Sequence, residues 1–214
     1  MEIKYFVRTT GDREFNYDLD IELIIDKDYK PIISYIDSLC KIDKYNSVLM
    51  EDDLLLCKNF KEEIEKVIAQ YPDKIINFFQ QPEVYYTTHH TTNFNYNQCT
   101  YFPKGIASKA ADMMSRLYKL GPYFSYGMLL NQALKRLGIS HIAYRPCLVQ
   151  HIDGISLFSK REFLGRNTMY FKDYLDKLNI KIEDAFTLEN QKKLSELLEA
   201  DRNLWYNNLM GGKQ

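Results

Sequence analysis

Short β-branched runs alternate with helical stripes through the first 150 residues, and this alternation is the strongest limit on the fold. "IKYFVR" alternates as a strand does, and "IELIID" is a second apolar run that ends in the acidic turn "DKD". Pro31 suits the first position of a helix in which Ile32, Ile36, Leu39 and Cys40 share one face. "SVLM" reads as a third strand. Asn59 then caps a helix with Glu62 three positions on, and Phe60, Ile64, Val67, Ile68 and Tyr71 form its stripe. "KIINFF" is the next strand. Two helices follow, near 105–120 and 125–137, closed by Gly121 and Gly138, and "HIAYRPCLVQHI" returns as a strand. From about residue 160 the pattern is helical to the end, and no internal repeat is present. This order predicts an α/β fold: a mostly parallel sheet with helices on both faces over residues 1–158, and a helical C-terminal extension over 159–214 packed on it.

Residues 80–103, "QQPEVYYTTHHTTNFNYNQCTYFP", interrupt the alternation. They are polar and lack a helical period, which predicts a long loop or irregular hairpin of the kind that usually carries function. Their tyrosines and asparagines suit a recognition surface, because sugars and bases stack on aromatic faces and bond to amides. His89 and His90 are adjacent on an extended chain and point to opposite sides, which argues against a joint metal site.

Composition bounds the function. A hydrophobic fraction of 45% with 17 Tyr and 12 Phe in 214 residues describes a globular chain with a real core and excludes disorder as its main state. A net charge of −1 predicts no bulk attraction to nucleic acid or anionic membrane. The signs are unevenly spread, however: residues 1–53 carry 7 Lys/Arg against 13 Asp/Glu, and residues 104–146 carry 7 Lys/Arg against the single acid Asp112. Cys40, Cys57, Cys99 and Cys147 form no C-x-x-C pair, so they read as reduced thiols, with no zinc site. The start "MEIKYFVRTT" lacks a signal-peptide pattern and no run of about 18 apolar residues occurs, so a soluble, cytoplasmic protein without a membrane span is expected.

Glu51, Asp52 and Asp53 crowd the end of the apolar strand "SVLM". Ligands of open α/β sheets bind at the carboxyl ends of the strands. Repulsion within such a cluster is relieved most simply by a divalent cation, and oxygen ligands favour Mg²⁺ or Mn²⁺. A cation held by one or two carboxylates keeps positions open for phosphate oxygens, which points to a nucleotide diphosphate. The bland alternative is a solvated turn that favours the N-terminus of the next helix.

The stretch "SVLMEDDLLLCKNF", followed by an amphipathic helix, resembles the metal-binding segment of GT-A-type glycosyltransferases, most of all the family of lipooligosaccharide and procollagen galactosyltransferases. "YFPKGIASKAADMM" is similar to that family's acceptor-side segment, and "YRPCLVQHIDGISLF" to the segment that closes its catalytic core. The resemblance spans roughly residues 45–158 and implies a compact GT-A-like, Rossmann-like catalytic domain. It implies Asp53 as the principal metal ligand, His151 as a further ligand, and Glu51 supporting them from the strand. Asp52 would help through water or hold the donor ribose or sugar, and Asp153 would orient His151 or bind donor or acceptor.

By position, Arg8 and either Asp26 or Asp28 fall where such a sheet touches base and ribose. Lys104 and Arg145, from the basic segment, would neutralise the donor diphosphate or grip an anionic acceptor. The chain departs from the family in its short N-terminal region and in "GPYFSYGMLLNQALKR", where relatives often carry an acid. That leaves Asp153 or Glu83 as general base, a retaining mechanism, or an acceptor activated otherwise. The expected activity is transfer of a sugar from a nucleotide diphosphate, a UDP-sugar first, with Mn²⁺ or Mg²⁺, to a hydroxyl of a glycan or of a modified base in bacteriophage DNA. The rivals are a nucleotidyl or phosphoryl transferase and a transferase-like binding protein without turnover. The C-terminal helices, with Trp205, Tyr206, Leu209 and Met210, would serve as core, acceptor platform or oligomer interface.

Overall fold

The apolar runs become strands, the central ones paired on both edges and packed on both faces. The computed structural model describes residues 1–28, 30–79, 97–121, 125–152, 154–155, 162–163 and 167–211. Strands β1 (Ile3–Thr9) and β2 (Ile21–Ile25) precede helix α1 (Pro31–Ile42), strand β3 (Asn46–Glu51), the short strand β4 (Leu54–Leu56) and helix α2 (Phe60–Gln70). Strands β5 (Ile75–Asn77) and β6 (Cys99–Phe102), helices α3 (Ala107–Tyr118) and α4 (Tyr126–Leu137), and strands β7 (His141–Ala143) and β8 (Val149–His151) follow. The strand pair β9 (Gly154–Ile155) and β10 (Glu162–Phe163) and helices α5 (Lys172–Leu178) and α6 (Leu188–Gly211) complete the described chain.

Among the described residues the main sheet has six strands in the order β2-β1-β3-β6-β5-β7. β1 lies parallel to β2 and β3, and β5 parallel to β7, while β6 runs antiparallel to both β3 and β5. The sheet is therefore mixed but mostly parallel. Successive residues of β1 and β3 enter different cores, as the two-residue period of a strand requires. Tyr5, Val7, Val48 and Met50 pack with Ile64, Val67 and Ile68 of α2 and with Tyr174, Leu175, Leu194 and Leu198 of α5 and α6. Phe6 and Leu49 pack on the other face with Tyr35, Leu39 and Ile42 of α1, Met114 of α3 and Leu129 of α4. The C-terminal helices thus share one of the two cores with the sheet.

Several local expectations change in three dimensions. Residues 99–102, expected within a long loop, form β6, fully buried between β3 and β5. The remainder of that loop, residues 80–96, with Glu83, His89 and His90, lies outside the described residues. The run "HIAYRPCLVQHI" is two strands: β7 joins the main sheet, the N–H groups of Tyr144 and Leu148 bond the carbonyls of Asn77 and Phe78, and β8 pairs with β4 instead. Cys40 is exposed, and the buried stripe of α1 is Tyr35, Ile36, Leu39 and Ile42. Asn59 sits in the left-handed region at φ 55° and makes no side-chain cap bond, so α2 begins without the expected box. Gly138, at φ 66°, does close α4, whereas α3 ends at Lys119 in right-handed backbone and not at Gly121.

Ile64 is fully buried beneath the sheet. Ile64→Ala should lower the free energy of unfolding by about 2–5 kcal/mol in urea titrations. Cys40→Ser on the exposed side of α1 should stay within about 0.5 kcal/mol of wild type.

Candidate functional site

β3 ends at Glu51, which falls on the face of Leu49, and Asp52 and Asp53 lie in the bend between β3 and β4.

Glu51 is paired in register with Arg8, and their side chains meet. The Nη2 of Arg8 donates to Glu51 Oε1 at 2.8 Å, and its Nη1 donates to the carbonyl of Pro31 at 3.1 Å. The hydroxyl of Tyr126 donates to the same carboxylate oxygen. The guanidinium lies 4.5 Å from the ring centre of Tyr126 and 5.4 Å from that of Tyr35, and those two rings stack on each other at 4.8 Å. Burial works against the charge of Arg8, but Tyr126 and Glu51 outweigh it and its pKa rises. Burial, then Glu51, pushes the Tyr126 phenol well up. Arg8, expected to reach the donor, is instead locked to Glu51, expected to support the site from the strand, between the sheet and helices α1 and α4.

Asp52 and Asp53 face the other way. The Thr9 hydroxyl donates to Asp52 Oδ2 at 2.5 Å and accepts the Gly11 N–H at 2.9 Å. Gly11 holds φ 84°, a left-handed value that turns the chain sharply after β1. The loop that follows returns Arg13 to the acids: its Nη1 stands 2.6 Å from Asp53 Oδ2 and 3.3 Å from Asp52 Oδ1. Tyr17, from the same loop, donates to the carbonyl of Glu51 at 3.0 Å and accepts the Leu54 N–H at 3.1 Å, clamping the backbone on both sides of the pair.

His151 arrives through the small sheet. β4 and β8 pair antiparallel with Leu54 opposite His151, and the Ile152 N–H donates to the Asp53 carbonyl at 2.9 Å. This register sets His151 Nε2 at 3.4 Å from Asp53 Oδ2. Asn167 and Thr168 hold the strand behind it, with Asn167 Nδ2 donating to the His151 carbonyl at 2.7 Å and the Thr168 N–H donating to Gln150 Oε1 at 2.9 Å.

The two carboxyls have opposite proton affinities. Burial pushes Asp53 up, but His151 and Arg13 overcome it and hold it well below the usual carboxylate range. Burial also pushes Asp52 up; the Thr9 hydroxyl and Arg13 pull it down, Asp53 and Glu51 repel its charge, and the net direction is upward.

The other sequence candidates scatter. Asp26, just past β2, is buried; its Oδ1 accepts the Lys30 N–H at 3.4 Å at the start of α1, and its Oδ2 has no hydrogen-bond partner. Asp28 is exposed, 3.7 Å from Lys30 Nζ. Lys104 lies at the wrong end of the sheet. β6 runs against β3, so Lys104 donates its backbone N–H to Asn46 Oδ1 at 3.2 Å, a whole six-residue strand away from the triplet. That is about 20 Å, and Lys104 does not reach the acids. Arg145 is buried, its guanidinium 5.2 Å and 5.8 Å from the ring centres of Tyr170 and Phe186. Asp153 lies outside the described residues.

Asp53 and His151 are the residues that could hold a cation, offering an oxygen and a nitrogen side by side. Asp53 Oδ1 is buried with no hydrogen-bond partner among the described residues, an oxygen that a cation would satisfy. Among the described residues no group of three His, Cys, Asp or Glu side chains is arranged to hold a metal. Thr9, Arg13, Tyr17 and Tyr126 are the partners that sequence reasoning misses. For Thr9, Arg13 and Tyr17 the available signal is the polar, glycine-bearing stretch "RTTGDREFNY", which runs from the end of β1 into the loop after it; Tyr126, at the start of α4, carries none. No family model and no curated protein matches this chain.

Asp53 stabilises the fold while it is charged, so its contribution is full above the unfolded carboxyl value of about 3.9 and is lost as pH falls through its lower folded value. Asp52 has the opposite sign: its folded value is raised, so its charge opposes folding at neutral pH and the penalty disappears in acid. Asp53→Asn should therefore be less stable than wild type at pH 7, with the gap beginning to narrow below about pH 4. Asp52→Asn should be more stable at pH 7 and lose that advantage below about pH 4. Urea midpoints measured from pH 7 down to pH 3 check both.

Proposed function

We propose that this chain is a metal-dependent glycosyltransferase of GT-A-like architecture, which moves a sugar from a nucleotide diphosphate to a hydroxyl. The observation that carries this reading is the Asp52–Asp53 pair at the carboxyl end of a central strand, with His151 Nε2 set 3.4 Å from Asp53 by the pairing of β4 and β8. The resemblance of residues 45–158 to the lipooligosaccharide and procollagen galactosyltransferases supports it, as does the buried, unpartnered Oδ1 of Asp53.

A bound Mn²⁺ or Mg²⁺ would neutralise the charge that develops on the departing diphosphate. Asp53 and His151 would hold that ion, and Asp52, fixed by Thr9, would bind the donor sugar or ribose beside it. Arg8 and Glu51 brace the strand that carries the acids. The donor is a nucleotide sugar, UDP-linked first, and the acceptor a glycan or a modified DNA base. One observation favours a second reading, binding without turnover: Arg13 already pairs with both acids and offsets one of their two charges.

Calorimetric titration of UDP-, GDP- and dTDP-sugars with and without Mn²⁺ separates the readings. Binding of one nucleotide sugar only with Mn²⁺, abolished in Asp53→Ala, is the expected result. Absence of binding under every condition removes the transferase reading, and carbohydrate or nucleic-acid binding without a nucleotide donor takes its place.

A further inference from the structure

β2 is the outermost strand of the main sheet, bonded to β1 and, among the described residues, to no other strand. Along a parallel strand the backbone groups turn alternately toward and away from a given neighbour. The Asp26 N–H donates to the Thr9 carbonyl at 2.8 Å, so the even-numbered residues of β2 face β1. The N–H and C=O groups of Ile21, Leu23 and Ile25 therefore point out of the sheet edge. Their side chains share the face of Tyr5, Val7 and Thr9, yet Leu23 is 49% exposed and Ile25 48%. Beside them, Phe15 of the loop after β1 forms with Ile21 and Leu23 one wall of a groove of about 730 Å³.

Natural sheet edges are blunted by charge, twist or cover, and an edge that keeps an apolar row is a template for a further strand. Charge says which strand. Of the exposed charged residues between positions 12 and 30, six are acids, among them Asp20 and Glu22, and two are lysines, Lys27 and Lys30. Lys30 already stands 3.7 Å from one of those acids, Asp28. A second copy of the chain would fit the apolar row, pairing Ile21 with Ile25 about a central Leu23. The same register sets Asp20 opposite Asp26 and brings two acidic flanks together, and like charges directly opposite one another oppose pairing. A segment with Val, Ile or Leu at alternate positions and Lys or Arg between them satisfies both faces. Its apolar side chains cover Leu23 and Ile25, and its basic ones meet Glu22 and Asp20.

We propose that the open edge of β2 is a docking site for an extended, basic segment of a partner protein, which adds a strand to the main sheet. This does not depend on what the acidic pair at the end of β3 does.

The test uses a fluorescent peptide of alternating lysine and valine, and the same peptide N-methylated throughout, which keeps the charge and removes the backbone donors. Affinity is read by anisotropy, and backbone pairing by amide hydrogen exchange in the full chain. The alternating peptide should bind wild type and slow exchange about tenfold or more at the N–H groups of Ile21, Leu23 and Ile25, leaving those of Ile24 and Asp26, which already face β1, unchanged. Leu23→Lys, at a half-exposed position, should weaken the peptide about tenfold or more, the scale of one leucine side chain left uncovered. The double variant Asp20→Lys, Glu22→Lys should weaken it as well. Absence of binding to wild type overturns the proposal. Equal binding of the methylated peptide, an unchanged affinity in Leu23→Lys, or binding without protection of the three outward amides reduces the contact to bulk charge attraction and overturns it too. Protection of the same amides that rises with protein concentration alone assigns the edge to a second copy and overturns the basic partner.

Discussion

β3 is hydrogen-bonded to β1 on one edge and to β6 on the other, and helices cover both its faces, so the backbone at Glu51 has almost no freedom. A strand held in this way sends consecutive side chains to opposite sides. Three acids written side by side in the sequence are divided where the strand ends: Glu51, its last residue, enters an ion pair beneath α1 and α4, and Asp52 and Asp53, in the bend that follows, open onto the face that carries the loop after β1 and the small β4–β8 sheet. The division limits the repulsion that three adjacent carboxylates would otherwise suffer.

The cluster stands on the stability of what surrounds it. Removing one member of a buried ion pair is costly because the other charge stays buried, which makes Arg8 and Glu51 a foundation for the strand end. Asp52 and Asp53 differ from that pair and from each other. Asp53 is matched by Arg13 and His151 and keeps its charge easily; Asp52, whose burial and acidic neighbours outweigh Thr9 and Arg13, holds its charge against the fold.

Much of the fold was legible. β1, β2, β3 and β5, and helices α1 to α4, announce themselves through period and terminal residues, because their burial is one-sided along a helix or continuous along a strand. β6 was not, since "CTYF" is too short and too polar to stand out, and only pairing with β3 and β5 makes it a strand. The break between β7 and β8 was hidden for a related reason: the apolar run is continuous, and the change of partner from β5 to β4 is a tertiary event. Of the candidate site, the acids and His151 were readable from their place at strand ends. Arg13 and Tyr17 were not, because a loop has no period that says where its side chains return. Lys104 was misplaced because charge along the chain does not report which end of a sheet a residue occupies.

The order of strands and helices, the mostly parallel sheet, and the position of an acidic cluster at a strand end were determined by the sequence alone, since they rest on local period and on which residues tolerate water. The partner of each charge was decided only by the tertiary structure. The direction of β6 sends Lys104 away from the acids, the turn at Gly11 brings Arg13 back to them, and the β4–β8 register sets His151 against Asp53. Each of these is a contact between residues far apart in the chain, and electrostatic pairing depends on distance and burial, neither of which a linear sequence specifies.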